Sequence, residues 1–327
     1  MKLIVQIPCL NETATLAKVV GSIPRSIPGV DRVEVLVIDD GSTDGTADLA
    51  ASLGVEHVIR FKRNRGLARA FLAGLDACLK LGADVIVHTD GDNQYPSEDI
   101  PRLIRPILDG EADFVVGERD IQNIEHFSPT KKSLQRLGSW VVRRFSGTAI
   151  PDTTSGFRAM SREAALKLNV VSEYSYTLET IIQAGRQRIA IGHVPIRTNA
   201  KTRDSRLISN TRDYIQRSAL TILRTYTMYE PLRVFTMAGG LLFGTGLAIG
   251  ARFLVLFALG SGRGHVQSLI LAAILLLLGF QVVLIGLLAD IIGANRRLLE
   301  TVLEKVRRLE SAAPPETLAT SPKSPRE

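Results

Sequence analysis

Acidic and amide side chains follow a short apolar run at Val85 to Val87. The next residues read HTDGDNQYP at positions 88–96 and contain Asp90, Asp92 and Gln94. An apolar run of this length, followed by turn residues, is typical of a buried strand in a parallel sheet. Carboxylate and amide oxygens at this spacing suit a hard divalent cation that keeps positions open for phosphate oxygens. The alternative is a solvated acidic turn, because a lone D-x-D pattern often occurs by chance.

Three other polar stretches stand at or near the ends of apolar runs. They are IPCLNE at 7–12, VIDDGSTDGT at 37–46 and DTTSGFR at 152–158. In open α/β sheets, ligands bind beyond the carboxyl ends of the strands. Asp39, Asp40 and Ser42 end one such run, although they could instead cap the following helix.

Apolar strand patterns alternate with helical patterns over the first part of the chain. Strands are predicted at 3–8, 33–38, 55–61, 85–87 and 113–117, and helices at 13–22, after Asp44, at 66–81 and at 97–108. Short connections between alternating elements predict a parallel α/β sheet. Beyond it we expect a polar loop at 118–130, a basic helix at 131–146, further short elements to 196, and a polar basic loop at 199–207.

Composition narrows the class of partner. The 327 residues carry a formal net charge of +7, which indicates an anionic partner such as nucleic acid, a phosphate ligand or a membrane surface. The two cysteines, Cys9 and Cys78, form no metal or redox spacing. The N-terminal apolar run before Pro8 is too short for a signal peptide, so we expect the front of the protein to stay in the cytosol.

The last third of the chain predicts a membrane hairpin. Residues 208–233 form a basic amphipathic pattern, typical of an interfacial helix or of an ordinary surface helix. Apolar segments at 235–259 and 266–292 are each long enough to span a bilayer. Arginines on both outer flanks place both termini in the cytosol by the positive-inside rule. Residues 293–327 are predicted to form a basic cytosolic helix and a disordered tail. Four glycines allow close helix approach within or between chains, or simply face lipid: Gly240, Gly244, Gly246 and Gly250.

Together, the four polar stretches resemble family 2 glycosyltransferases. More narrowly, they resemble the polyprenyl-phosphate hexosyltransferases, a group like dolichyl-phosphate-mannose synthase, including members with two C-terminal spans. The resemblance covers about residues 3–207 by motif and the hairpin by architecture. It implies a GT-A type, Rossmann-like domain with a mainly parallel sheet at 1–207, an interfacial helix at 208–233 and a transmembrane hairpin at 234–292. The implied enzyme is an inverting, metal-dependent transferase that moves one hexose from a nucleotide-sugar to polyprenyl phosphate.

The resemblance also implies a donor site. The residues that would contact the GDP- or UDP-linked sugar are Pro8, Asn11, Glu12, Asp39, Asp40 and Asp90. The residues that would hold Mg²⁺ or Mn²⁺ are Asp90, Asp92 and Gln94, and Asp92 would also be catalytic. Gly91 and Asn93 differ from residues common in the family, but neither change removes a ligand.

The acceptor side would need cations, since polyprenyl phosphate is ionised at neutral pH with a second pKa of roughly 6. By resemblance, Arg119 and Arg158 would be catalytic, although Glu118 stands where the family usually has serine. The residues that would bind the lipid phosphate are Arg158, Arg203, Arg206, Lys201 and Arg136; each could instead be a solvated side chain. Asp152 would act as a base or hold an arginine in place, and the pre-ionised acceptor favours the second role.

Two other functions stay open at this point. A processive polysaccharide synthase shares the front motifs but usually has a larger membrane channel. A non-catalytic membrane subunit would bind lipid or partners through the hairpin and would need no complete metal site. Membrane lipids, and a second copy of the chain, are expected partners. Nucleic acid is not, because the arginines cluster near the predicted membrane face.

Overall fold

The computed structural model describes residues 1–120, 138–144, 146–170, 176–199, 229–260 and 266–312, with positions 216, 219, 220, 223, 224, 226 and 227. The chain divides into two compact units. The first comprises residues 1–222 and 301–327, and the second comprises residues 223–300.

The first unit is built on a seven-stranded sheet. Its strands are β1 Lys2–Cys9, β2 Arg32–Asp39, β3 His57–Arg60, β4 Val85–His88, β5 Phe114–Arg119, β6 Arg158–Ser161 and β7 Ile191–Ile196. They lie in the order β3-β2-β1-β4-β6-β5-β7. All pairings are parallel except those of β6, which runs antiparallel to β4 and β5. The predicted mainly parallel α/β sheet is confirmed.

Helices cover both faces of this sheet. They are α1 Leu16–Gly21, α2 Thr46–Ser52, α3 Leu67–Lys80, α4 Ile100–Leu108, α5 Arg162–Lys167 and α6 Tyr176–Arg186, with a 3-10 turn at Ser97–Asp99 before α4. Alternate β1 residues Leu3, Val5 and Ile7 join a core cluster with apolar residues of α1 and α4. Helix α3 packs on the opposite face, because a Cβ on its Gly74 would lie 2.2 Å from Gln6 Oε1. Period-two alternation in β1 therefore serves two helical layers.

Helix α1 begins later than the sequence predicts. The sequence predicts a helix from residue 13, but the helix starts at Leu16. Asn11 adopts a left-handed backbone with φ of 54°. The Thr13 N–H and hydroxyl both donate to Asp44 Oδ2, at 3.2 and 2.9 Å. Residues 11–13 are thus held by the neighbouring loop instead of starting the helix.

The second unit contains two apolar helices. Helix α7 spans Pro231–Ala258, and helix α8 runs from Val266 to Ala312, so its last twelve residues belong to the first unit. Both are long and apolar enough to cross a membrane. The most apolar 18-residue segment has a mean hydropathy of 2.0 in α7 and 2.8 in α8. Residues after 292 continue α8 without a break, whereas the sequence suggested a separate basic helix.

Glycines set the contact between α7 and α8. A Cβ on Gly239 would lie 2.7 Å from Gly279 O, and one on Gly246 would lie 3.0 Å from Ala272 O. Of the four predicted glycines, Gly246 makes this close approach and Gly250 lies at ordinary contact distance from Ala272. A Cβ on Gly240 or on Gly244 would meet no atom within 4 Å in the described structure, so these two glycines do not form this interface.

Candidate functional site

The carboxyl ends of β1, β2 and β4 lie side by side, which brings three of the four polar stretches to one edge of the sheet. Hydrogen bonds tie their loops together. The Asn11 N–H donates to Ser42 Oγ at 2.9 Å, and the Thr43 N–H donates to Asn11 Oδ1 at 2.9 Å. The Glu12 N–H donates to Thr46 Oγ1 at 2.9 Å. The predicted donor residues Asn11 and Glu12 therefore belong to a cross-bonded rim, with Pro8 at the end of β1 beneath it.

Asp39 and Asp40 differ in what their carboxylates contact. Asp39 is fully buried; its Oδ1 accepts from the Ser42 N–H at 2.8 Å, and its Oδ2 has no hydrogen-bond partner among the described residues. Arg60 Nε lies 3.6 Å from that oxygen. Arg60 also lines a cleft of about 270 Å³ with residues 41–43, 61 and 62. Asp39 Oδ2 is thus a buried acceptor, and its nearest cation, Arg60, lines the cleft.

Asp40 instead holds the chain that leads into α3. Its two carboxylate oxygens accept from the N–H groups of Arg65 and Gly66, at 2.7 and 2.9 Å. Burial raises the pKa of Asp40, although these two N–H groups act in the opposite direction. The predicted nucleotide contact is better supported by the geometry of Asp39 than by that of Asp40.

The loop after β4 carries the predicted metal ligands. Asp90 keeps a side-chain exposure of 32%. The Gln94 Nε2 donates to Asp92 Oδ2 at 2.8 Å, and the Gln94 N–H donates to Asp92 Oδ1 at 3.1 Å. Gln94 therefore orients Asp92 in this structure, and the predicted role of Gln94 as a metal ligand gains no direct support.

The donor set of this loop fits a divalent cation that also binds a substrate diphosphate. Within the described ranges, no group of three or more His, Cys, Asp or Glu side chains could enclose a metal. Asp90 and Asp92 offer carboxylate oxygens on one short loop. Mg²⁺-type cations are commonly held by one or two carboxylates together with substrate phosphates.

The fourth polar stretch packs directly against Asp90. A Cβ on Gly156 would lie 2.6 Å from Asp90 Oδ2, so glycine is needed for this close approach. The Gly156 N–H also donates to Tyr95 Oη at 3.0 Å, and the rings of Tyr95 and Phe157 stack with centroids 5.4 Å apart. Residues 152–157, called the 152–157 loop below, are thereby fixed on the loop that carries Asp90 and Asp92.

Arg119 and Asp152 form a buried ion pair at this loop. Arg119 Nε and Nη2 donate to Asp152 Oδ2 and Oδ1, at 2.6 and 3.0 Å. Arg119 Nη2 also donates to Thr154 Oγ1 at 2.8 Å. Burial alone would raise the pKa of Asp152, but the Arg119 charge and the hydrogen bonds from Arg119 and Thr154 leave it lowered. This geometry supports the predicted role of Asp152 as the residue that holds an arginine.

Arg158 lies in the interior. Its exposure is 0%, and its Nε, Nη1 and Nη2 donate to Ser155 O, Thr180 Oγ1 and Thr153 O. The sequence predicted that Arg158 binds the lipid phosphate. A guanidinium enclosed in this way does not reach solvent, so its position gives that prediction no support.

The remaining predicted acceptor residues, Arg136, Lys201, Arg203 and Arg206, lie outside the described residues. The described chain nevertheless leads toward the site just before position 200. The Asn199 N–H donates to Gln94 O at 2.9 Å, and Asn199 Nδ2 donates to Asn93 O at 3.0 Å. Arg197 also forms an ion pair with Asp99 at 2.7 Å. Residue 199 is thus bonded to the loop of Asp90 and Asp92.

His88 and Tyr176 contact each other next to Asp90, and the sequence predicted no role for either residue. His88 is fully buried between Gln6 Nε2 at 3.1 Å and Tyr176 Oη at 2.8 Å, and its Nε2 lies 3.8 Å from Asp90 Oδ1. Gln6 and His88 are register partners on β1 and β4. A polar residue in each of two neighbouring apolar strands was the signal that could have identified this pair.

Comparisons with known proteins agree with this architecture. The family model described as glycosyl transferase family 2 matches residues 4–168, and the model described as GtrB C-terminal hairpin matches residues 230–294. A UDP-N-acetylglucosamine–dolichyl-phosphate N-acetylglucosaminyltransferase of Methanococcus voltae is 31% identical over 217 residues, which cover 59% of this chain and 83% of the relative.

Two further similarities extend over more of the chain. An undecaprenyl-phosphate 4-deoxy-4-formamido-L-arabinose transferase of Salmonella choleraesuis is 28% identical and covers 89% of this chain and 88% of its own length. Glucosyl-3-phosphoglycerate synthase of Mycobacterium tuberculosis, solved with Mn²⁺, UDP-glucose and phosphoglyceric acid, is 25% identical with a TM-score of 0.54; the match covers 69% of this chain and 78% of that one. The family predicted from the four motifs is confirmed: the chain is a glycosyltransferase and belongs to glycosyl transferase family 2.

Proposed function

We propose that this glycosyltransferase moves a single hexose from a GDP- or UDP-linked sugar to polyprenyl phosphate, with Mg²⁺ or Mn²⁺ as cofactor. One observation carries the proposal: the 152–157 loop, which holds the Arg119–Asp152 pair, packs directly on Asp90. A cationic side chain for an anionic acceptor therefore lies beside the acidic loop of the donor site. The named activities of the relatives supply the acceptor class, since both act on polyprenyl phosphates.

The donor side of the proposal rests on Asp39, Asp90 and Asp92. Asp39 Oδ2, a buried acceptor without a hydrogen-bond partner among the described residues, would accept from a hydroxyl or ring N–H of the nucleoside. Asp90 and Asp92 would hold the divalent cation together with the diphosphate of the donor. When bound, such a cation supplies positive charge that stabilises the departing nucleoside diphosphate. The solved synthase with Mn²⁺ and UDP-glucose supports a divalent cation for this fold.

The acceptor side of the proposal rests on Arg119. Polyprenyl phosphate needs little help from a general base, because its second pKa of roughly 6 leaves it ionised at neutral pH. It needs a cation that holds it near an anionic donor. Asp152 stays ionised and its oxygens already accept from Arg119 and Thr154, so its role is to fix the guanidinium.

We infer a single displacement with inversion at the sugar. An acceptor phosphate oxygen forms a bond to the anomeric carbon, while the bond from that carbon to the diphosphate oxygen breaks with its electron pair. The nucleoside diphosphate leaves and no proton transfer is required. Atoms and charge balance without a covalent enzyme intermediate.

We place the reaction at the cytosolic face of a membrane. Helices α7 and α8 are exposed, apolar and long, and the matched C-terminal hairpin model covers the first helix and much of the second. Basic residues flank the outer ends of the hairpin at Arg224, Arg233, Arg296 and Arg297, and the positive-inside rule puts such ends in the cytosol. Both termini and the catalytic unit would then share that side, in contact with membrane lipids.

A transfer assay tests this proposal. The purified protein is incubated with a panel of labelled GDP- and UDP-sugars and polyprenyl phosphate, with Mg²⁺, with Mn²⁺ or with a chelator. We expect label in the lipid phase with one donor class and none with the chelator. The Asp92→Ala variant should fold and insert but lose at least about 100-fold in rate, since a ligand of the cation that would stabilise the leaving-group charge is removed. Wild-type activity in Asp92→Ala would contradict the site assignment.

A further inference from the structure

Arg158 is buried, and none of the described acceptors of its hydrogen bonds carries a charge. Those acceptors are two backbone carbonyls and one hydroxyl. Burying a cation costs several kcal/mol unless its donors are satisfied and its charge is offset.

Two of the three hydrogen bonds hold the 152–157 loop. Arg158 Nε donates to Ser155 O at 2.7 Å, and Nη2 donates to Thr153 O at 3.1 Å. These two carbonyls flank Thr154, whose hydroxyl donates to Asp152 Oδ1 at 3.0 Å and accepts from Arg119 Nη2 at 2.8 Å. The loop is therefore wrapped around the Arg158 side chain on one side and bonded to the Arg119–Asp152 pair on the other.

The third hydrogen bond fixes Arg158 to helix α6. Nη1 donates to Thr180 Oγ1 at 2.6 Å. The guanidinium carbon lies 5.7 Å from the ring centre of Phe114 on β5 and 5.6 Å from that of Tyr176 on α6. On the sheet, Arg158 is the register partner of His88. Arg158 thus connects β4, β5 and α6 to the loop.

Only arginine can make these contacts together. Its planar fork presents five N–H donors in fixed directions, whereas lysine offers one compact ammonium group. Burial lowers the pKa of Arg158 to about 10, and the carboxylate charges of Asp152 and Asp90 act in the opposite direction. Arg158 is therefore protonated at neutral pH, and its charge interacts with the two site carboxylates, Asp90 and Asp152.

We propose that Arg158 is a positioning residue, which holds the 152–157 loop, and through it Asp152 and Arg119, against α6 and the loop of Asp90. The expected loss of kcat rests on the proposed function, whereas the expected loosening of the 152–157 loop does not. It replaces direct phosphate binding by Arg158, which the sequence predicted, with control over the residues that bind the acceptor.

The first test compares Arg158→Lys and Thr180→Val with wild type. Thr180 is fully buried, and valine of similar shape removes the acceptor of Nη1 together with the hydrogen bonds that the hydroxyl donates to Tyr176 O and Thr177 O within α6. We expect kcat to fall about 10-fold or more in Arg158→Lys and about 3-fold or more in Thr180→Val. Nucleotide binding by calorimetry should keep its stoichiometry and change less than about 2-fold in Kd, which shows that the folded fraction is unaltered.

Ser161→Ala is the matched control. Ser161 caps α5 on the same strand β6, and its hydroxyl donates to Asp113 at 2.9 Å, away from the 152–157 loop. The control should lose stability but keep wild-type kcat per nucleotide-binding site. Wild-type kinetics in Thr180→Val, combined with a rise only in the acceptor KM of Arg158→Lys, would show direct phosphate contact and overturn the proposal.

The second test does not need turnover. Hydrogen–deuterium exchange of amides in the 152–157 loop should rise about 10-fold in Arg158→Lys and Thr180→Val, whereas exchange in β1 stays unchanged. This result supports the positioning role even if the wild type transfers no sugar, in which case only the proposed function fails. Unchanged exchange in the loop of both variants overturns the positioning role.

Discussion

The Arg119 guanidinium and the Asp152 carboxylate meet through two parallel hydrogen bonds of 2.6 and 3.0 Å, and their side chains are only 12% and 1% exposed. The residues come from different parts of the fold, since Arg119 ends β5 and Asp152 precedes β6. A bidentate pair fixes the plane of a guanidinium as well as its position. Asp152 therefore fixes the orientation of Arg119, the side chain proposed to meet the anionic acceptor.

Replacing Asp152 with asparagine should affect both stability and transfer. The variant leaves a buried guanidinium without its counter-charge, and breaking such a pair costs about 3–5 kcal/mol. We expect a clear fall in the unfolding temperature and a fall in transfer rate of at least about 10-fold. Thermal unfolding followed by fluorescence, and the lipid-transfer assay below that temperature, measure the two effects. Unchanged values for both would show that the pair does not act in the folded enzyme.

The same pair predicts a pH dependence of stability. Because the folded-state pKa of Asp152 lies below the unfolded value of roughly 3.9, the pair contributes its full stability above about pH 5. That contribution is lost as the pH falls through the folded pKa. The difference in unfolding free energy between wild type and Asp152→Asn should be constant from pH 8 to about 5 and shrink below about pH 4. A difference that grows on acidification would contradict the assigned direction.

Gly156→Ala tests the contact between the two sides of the site. A Cβ at this position would lie 2.6 Å from Asp90 Oδ2, which forces either Asp90 or the 152–157 loop to move. A small misplacement of reacting groups can cost about 100-fold in rate, so we expect a loss of that order. Gly192→Ala in β7 is the control, since its Cβ would meet Ala112 at an ordinary 3.5 Å. Equal activity of the two variants would remove the argument for this packing.

Arg307 predicts that the end of α8 stabilises the first unit. Its Nη1 donates to Leu168 O at 2.7 Å, and its Nη2 lies 3.0 Å from Asp76 Oδ1, with the Arg307 side chain only 10% exposed. A hydrogen bond to a charged group contributes about 1.5–3 kcal/mol, so Arg307→Ala should lower the unfolding temperature by several degrees. Lys305→Ala, at an exposed position on the same turn of helix, should leave the unfolding temperature unchanged. Equal unfolding temperatures would show that this segment adds no stability.

The strand-end residues could be predicted because their position depends on local pattern. An apolar run followed by polar turn residues places Asp39, Asp90 and Asp92 at the carboxyl edge of a parallel sheet, whichever helices pack around it. The same reasoning did not separate Asp39 from Asp40. Which of the two carboxylates is used by backbone N–H groups depends on the path of residues 65 and 66, which the local pattern does not specify.

Arg158 shows what the sequence could not supply. The burial of Arg158 follows from an antiparallel strand inserted between β4 and β5. It also follows from helix α6, which begins 18 residues later and places Thr180 against the guanidinium. These are non-local pairings, and a motif resemblance alone suggested a solvent-facing role. The role of Asp152 in holding an arginine could be predicted, because an ionised acceptor needs a fixed cation more than it needs a base.

The structure of the lipid product tests the central claim most directly. Wild type is supplied with the preferred nucleotide-sugar and polyprenyl phosphate, and the purified product is characterised by mass spectrometry and by NMR of its anomeric centre. The account predicts one hexose, joined through the phosphate, with the anomeric configuration opposite to that of the donor. A polymeric product, a retained configuration, or a sugar-free lipid with every donor tested would contradict it.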